Sequence, residues 1–302
     1  PGSGKTTVMA LRVLKLIIVD DVDPGSIVVT TFTKKAASEL RSRILGWGDQ
    51  MREALIRMTS DVGTQQALLT LDFNQIMTGT LDSISESVLK DHREPGEAAP
   101  TVIESFIANA MMVRFGLLDH GRYRNGDLKE YLKEMSGSSN NFSVSDMAST
   151  LLEIKDRICH DQVDCDLFRD QCTDVGGRIA LEAIDAYQQT LTERLLYDFA
   201  RIEQDFYEKL QQGRLENFTS GIRFILVDEY QDTNLLQERI YFILARYAQQ
   251  NGGSITVVGD DDQSIYRFRG ATVDLFTQFL DRIRDQVGIT PRTIYLSRNY
   301  RS

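Results

Sequence analysis

Apolar residues in this chain fall into two kinds of run, and their alternation predicts the fold class. The stretches 26–31, 76–80, 225–227 and 254–258 are short, rich in β-branched residues and uncharged. Continuous apolar runs of that length are typical of strands buried on both faces of a parallel sheet. Thr293-Ile294-Tyr295-Leu296 has the same character and is expected to be a further strand. Val8, Leu11, Leu14, Ile17 and Ile18 instead recur at helical spacing. Helices are also expected over about 36–45, 81–90 and 235–247, the last capped by Thr233-Asn234. Strands alternating with helices predict an α/β protein, a parallel sheet flanked by helices.

From residue 92 to 197 the alternation lapses. Helical patches over 102–115 and 180–197 are separated by loops such as Ser136 to Asn141. An inserted, mainly α-helical subdomain is expected there, dividing the chain into 1–91, 92–197 and 198–302.

Composition narrows the setting. The chain has 302 residues, 42% hydrophobic and 26% charged, as in a soluble globular protein. No apolar run approaches the roughly 18 residues of a membrane helix, so no membrane partner is expected. A net charge of −10 excludes nucleic-acid binding by bulk charge but leaves room for a local basic groove. Much of the surplus sits in residues 92–197, with about 18 acids against 11 bases. Three clustered cysteines, Cys159, Cys165 and Cys172, point to reduced thiols and a cytoplasmic location. With His160 they lack any C-x₂-C pair, which weighs against zinc or an iron–sulfur cluster.

The chemistry lies at the strand ends. Ile225-Leu226-Val227 runs straight into Asp228-Glu229-Tyr230-Gln231-Asp232, and the strand after it ends in Gly259-Asp260. Carboxylates at the carboxyl end of a parallel sheet sit where α/β proteins bind ligands. Gly2-Ser3-Gly4-Lys5-Thr6-Thr7 fits the second half of a phosphate-binding loop. Its glycines let backbone N–H groups close on phosphate oxygens, Lys5 reaches the β and γ phosphates, and the Thr6 hydroxyl ligates Mg²⁺. Asp228 is placed to hold that Mg²⁺ through water, and Glu229 to orient and deprotonate an attacking water. Thr31-Phe32-Thr33-Lys34-Lys35 follows another strand; Phe32 either stacks on a base while Thr33 and the lysines hold phosphates, or packs inward. In Gly259 to Ala271, Gln263 is a candidate γ-phosphate sensor and Tyr266, Phe268 and Arg269 can stack on single-stranded bases, or the stretch is an arginine-rich turn packing on a helix.

In this order the motifs resemble those of the UvrD/Rep-type superfamily 1 DNA helicases. The resemblance covers the first RecA-like P-loop NTPase domain of that family, in two pieces, and the helical subdomain inserted between them. It carries Gly2 to Thr7, Thr31 to Ala37, Gly79-Thr80, Val227 to Asp232, Gly259 to Ala271 and Leu296 to Ser302. The resemblance implies an ATP hydrolase that moves 3′ to 5′ on single-stranded DNA and opens duplex junctions. It further implies that Tyr300 stacks on adenine and that Arg301 and Gln263 contact the γ-phosphate. Phe32, Tyr266, Phe268 and Arg269 match its DNA contacts.

Four departures qualify it. Lys34 stands where the family usually has asparagine, Asp82 where it has a DNA-contacting histidine, and Phe268 where tryptophan is more frequent. Asp198-Phe199-Ala200-Arg201 keeps half of a family Asp-Phe-x-Asp-Leu segment. The chain begins inside its phosphate motif and ends at Asn299-Tyr300-Arg301-Ser302, and is expected to be part of a longer protein with a second RecA-like domain. Isolated, it is expected to hydrolyse ATP poorly. The alternatives are a nucleotide-gated DNA clamp that does not unwind, and the motor part of a helicase–nuclease.

Overall fold

A computed structural model describes residues 4–94, 96–137, 142–260 and 273–296. Four parallel strands form the main sheet: β1 (Ile27–Thr30), β2 (Met77–Gly79), β5 (Phe224–Val227) and β6 (Ser254–Val257), in the order β2-β1-β5-β6. Val28 lies opposite both Met77 and Ile225, and Ile225 opposite Ile255. Alternate residues of the strands serve opposite faces, as the two-residue period of a strand requires.

Val28, Ile225 and Val227 join the core under helices α4 (Leu81–Asp91), α10 (Phe199–Gln211), α12 (Leu235–Gln250) and α14 (Phe279–Val287). Ile27, Val29 and Leu226 join the core under α1 (Lys5–Ile18) and α2 (Lys34–Met58). Covered on both faces, β1 and β5 need to be apolar throughout; this is why their sequences lack polar alternation.

Between α4 and α10 the chain builds a second core, drawn from Ile103 to Leu196. Its walls include α5 (Ser105–Met111), a π-helical turn (Met112–Leu118), α6 (Gly126–Ser136), α7 (Val144–His160) and α9 (Val175–Glu193). The chain enters and leaves beside itself, because β3 (Thr101–Val102) pairs in parallel with β4 (Leu196–Tyr197). This small sheet escapes a sequence search, since two residues carry no periodicity. Helices α4 and α12 extend close to their expected spans, and Asn234 caps α12 in a reciprocal capping box with Gln237.

Two expectations need correction. Residues 293–296 do not form a strand: Ile294 is 71% and Tyr295 86% exposed, and no described strand runs beside them. β-branched and aromatic residues make a strand only where a neighbour supplies backbone partners and cover. Helix α2 extends well past residue 45, through Gly46 and Gly48. Glycine weakens a helix, but at Gly48 a Cβ would meet the Phe73 ring at 2.9 Å, so the position is kept bare for packing. Among the described residues no helix is long and apolar enough to cross a membrane.

Candidate active site

Helix α1 opens at Gly4, whose φ of 81° is the left-handed conformation that glycine adopts without strain. Lys5 and Thr6 therefore start the helix at the carboxyl edge of the sheet. The Lys5 Nζ lies 3.2 Å from Asp260 Oδ2 and 3.9 Å from Glu229 Oε2. The Thr6 side chain hydrogen-bonds Asp228. Phosphate-loop and strand-end residues expected to act together are thus in contact.

Asp228 continues the β5 ladder by one residue, its N–H donating to the Thr30 carbonyl at 2.9 Å. That fixes its carboxyl in a buried position, 5% exposed. Burial and then the charge of Glu229 push the Asp228 carboxyl up to about 6. Glu229 adopts φ 51°, an unusual left-handed conformation for a residue with a Cβ. Its N–H donates to Asp228 Oδ1 at 3.0 Å, so the two acids diverge from one tight turn. Asp232 is buried nearby, and burial followed by Glu229 pushes its carboxyl up to about 6.

These groups suit a hard divalent cation. Burial beside another acid leaves the Asp228 carboxylate short of compensating positive charge, and the Thr6 hydroxyl lies against it. An all-oxygen donor set with excess negative charge fits Mg²⁺.

The neighbouring strand ends supply the rest of the edge. Thr31 N–H donates to the Gly79 carbonyl at 3.0 Å, tying the loop after β1 to the end of β2. Phe32 is half-buried in that loop. The Thr33 hydroxyl oxygen accepts from Ala36 N–H at 3.1 Å and caps α2. Lys34 stands 6.0 Å above the Phe199 ring. Thr80 caps α4, and Asp82 in its first turn hydrogen-bonds Glu203 of α10. Gly2, Ser3, Gln263, Tyr266, Phe268, Arg269, Tyr300 and Arg301 lie outside the described residues.

Three features escaped the sequence. Gln231 Nε2 donates to Glu229 Oε2 at 2.9 Å, and its Oε1 accepts from Asp260 N–H at 2.9 Å. Asp260 itself pairs with Lys5. The partner of Asp82 is an acid more than a hundred residues away, and no spacing rule links the two.

Residues 1–284 match the sequence profile of the UvrD/REP helicase N-terminal domain. The chain belongs to that family. A DNA helicase II of Haemophilus influenzae is 30% identical across the whole chain, which covers 35% of that protein. A probable DNA helicase of Mycoplasma pneumoniae is 30% identical, again over the whole chain and 49% of its own length. The ATP-dependent DNA helicase SRS2 of Saccharomyces cerevisiae is 29% identical, with 24% of its length covered. The chain therefore spans about a quarter to a half of these UvrD/REP relatives.

Proposed function

We propose that this chain is the ATP-binding motor domain of a 3′–5′ DNA helicase or translocase, hydrolysing ATP as it moves on single-stranded DNA. The observation that carries this reading is the convergence of Lys5, Thr6, Asp228 and Glu229 at one sheet edge, in a chain of the UvrD/REP helicase family.

Gly2 to Thr7 would cradle the phosphates of ATP, with Lys5 on the β and γ groups. In taking them, Lys5 exchanges the carboxylate of Asp260 for phosphate oxygens. Thr6 and Asp228 would hold Mg²⁺, which when bound neutralises charge on the phosphate oxygens. Glu229, aimed by its left-handed backbone, accepts the proton of the water that attacks the γ-phosphorus. Gln263 and Arg301 would contact the γ-phosphate and Tyr300 the adenine, while Phe32, Thr33, Tyr266, Phe268 and Arg269 contact DNA. In this account residues 1–91 and 198–302 form the motor and 92–197 the insertion. A second RecA-like domain of the full-length protein supplies the other half of the ATP site.

A second reading, a nucleotide-gated clamp that binds DNA without unwinding, is favoured by Asp82, an acid turned toward Glu203 where relatives use a DNA-contacting histidine. Strand separation separates the two. The full-length protein should open a duplex bearing a 3′ single-stranded tail and not one bearing a 5′ tail, and Lys5→Ala should abolish this. Nucleotide-dependent DNA binding with no opening of either substrate would establish the clamp instead.

A further inference from the structure

Gln231 is 2% exposed, and both ends of its amide are committed. Nε2 donates to Glu229 Oε2 at 2.9 Å, and more weakly at 3.4 Å to Asp232 Oδ2. Oε1 accepts the Asp260 N–H at 2.9 Å. The amide can point only this way, since the reverse would set its oxygen against a carboxylate and its NH₂ against an N–H. Asp260 Oδ2 then meets Lys5 at 3.2 Å, and Lys5 lies 3.9 Å from the same Glu229 oxygen that Gln231 holds. Lys5, Asp260, Gln231 and Glu229 form a closed ring joining the phosphate loop to two strand ends.

The 3.9 Å separation identifies what Gln231 prevents. Glu229 and Lys5 are opposite charges at the outer limit of an ion pair, beyond hydrogen-bonding reach, at a partly desolvated edge where attraction is stronger than in water. A Glu229 freed from Gln231 would swing onto Lys5. That would occupy both the base that must accept a proton and the cation that must meet phosphate.

We infer that Gln231 is a positioning residue for ATP hydrolysis, holding Glu229 off Lys5 and anchoring it to the backbone of Asp260. The inference rests on the assignment of Glu229 as general base. When phosphate takes Lys5 from the Asp260 side chain, the Asp260 N–H stays on Gln231, so the base keeps its place while the lysine changes partner. Displacement of a catalytic group by about 1 Å costs on the order of 100-fold in rate.

The test measures single-stranded-DNA-stimulated ATP hydrolysis by the full-length protein carrying Gln231→Met or Gln231→Glu. The glutamate variant keeps an acceptor for Asp260 N–H and sets a carboxylate in place of the donor against Glu229. Expected is a fall in kcat of roughly 10- to 100-fold, with KM and the affinity for a fluorescent ADP within about twofold of the parent. Combined with Glu229→Gln, Gln231→Met should add almost nothing further, because residues acting through one group are non-additive. A kcat unchanged in the glutamate variant, or a loss that adds fully to that of Glu229→Gln, would overturn the inference alone. A wild-type protein whose hydrolysis is indifferent to Glu229→Gln would overturn the assignment of the base and the inference with it.

Discussion

Glu203 on α10, wholly buried, shares a hydrogen bond with Asp82 in the first turn of α4. Two ionised carboxylates have no proton to give each other. A hydrogen bond between them requires one of the two to be protonated. Burial and then Asp82 raise the Glu203 carboxyl well above its ordinary range. Gln237 donates to its Oε1 at 2.7 Å, while His160, at 3.8 Å on α7, is itself pushed down by burial and offers little positive charge near neutral pH.

The sign of the resulting pH dependence follows. A carboxyl whose folded pKa is raised favours folding below its unfolded value, and that contribution is lost as pH rises through the folded value. Glu203→Gln cannot ionise and can donate to Asp82. Its melting temperature should exceed that of the parent at pH 8 by an amount corresponding to about 1–3 kcal/mol. At pH 5 the advantage should shrink. An advantage independent of pH, measured by thermal melts across that range, would contradict a shared proton.

Helix α7 is fastened to α10 by a buried ion pair. Lys155 of α7 ion-pairs with Asp198, which caps α10 and also accepts from the Tyr187 hydroxyl at 3.0 Å. Lys155→Met strands a buried carboxylate and should cost about 3–5 kcal/mol in urea unfolding. Adding Asp198→Asn should recover much of that loss; a fully additive double variant would show that the two charges do not act on each other.

Gly48→Ala carries two opposed effects. Alanine gains about 1 kcal/mol of helix propensity, while a Cβ 2.9 Å from the Phe73 ring overpacks the core at a cost of about 1–3 kcal/mol. The single variant should be less stable than the parent. In a Phe73→Leu background the same change should become stabilising, and chemical unfolding of the four proteins decides it.

How much of this could be read from the sequence depended on range. The central strands β1 and β5 were legible because burial on both faces demands uninterrupted apolar runs, and the half-buried edge strands β2 and β6 because their short β-branched runs stand between helices. That Lys5, Thr6, Asp228 and Glu229 would meet at one edge was legible because each sits at the end of a strand or the start of a helix, where a parallel sheet gathers them. Residues 293–296 misled because strand propensity says nothing about whether a partner strand lies alongside. Gly48 misled because its value lies in Phe73, twenty-five residues on. Gln231, Asp260 and the Asp82–Glu203 pair act through partners that only the fold brings near.

In the proposed motor, Glu229 activates water against ATP when DNA is bound. The most direct test of this is ATP hydrolysis by the full-length protein with and without single-stranded DNA, beside Glu229→Gln. Strong stimulation by DNA is expected in the parent, and a fall of about 100-fold or more in the variant, the scale of a lost general base, with nucleotide binding retained. Hydrolysis that DNA does not stimulate, or that survives the loss of Glu229, would contradict it.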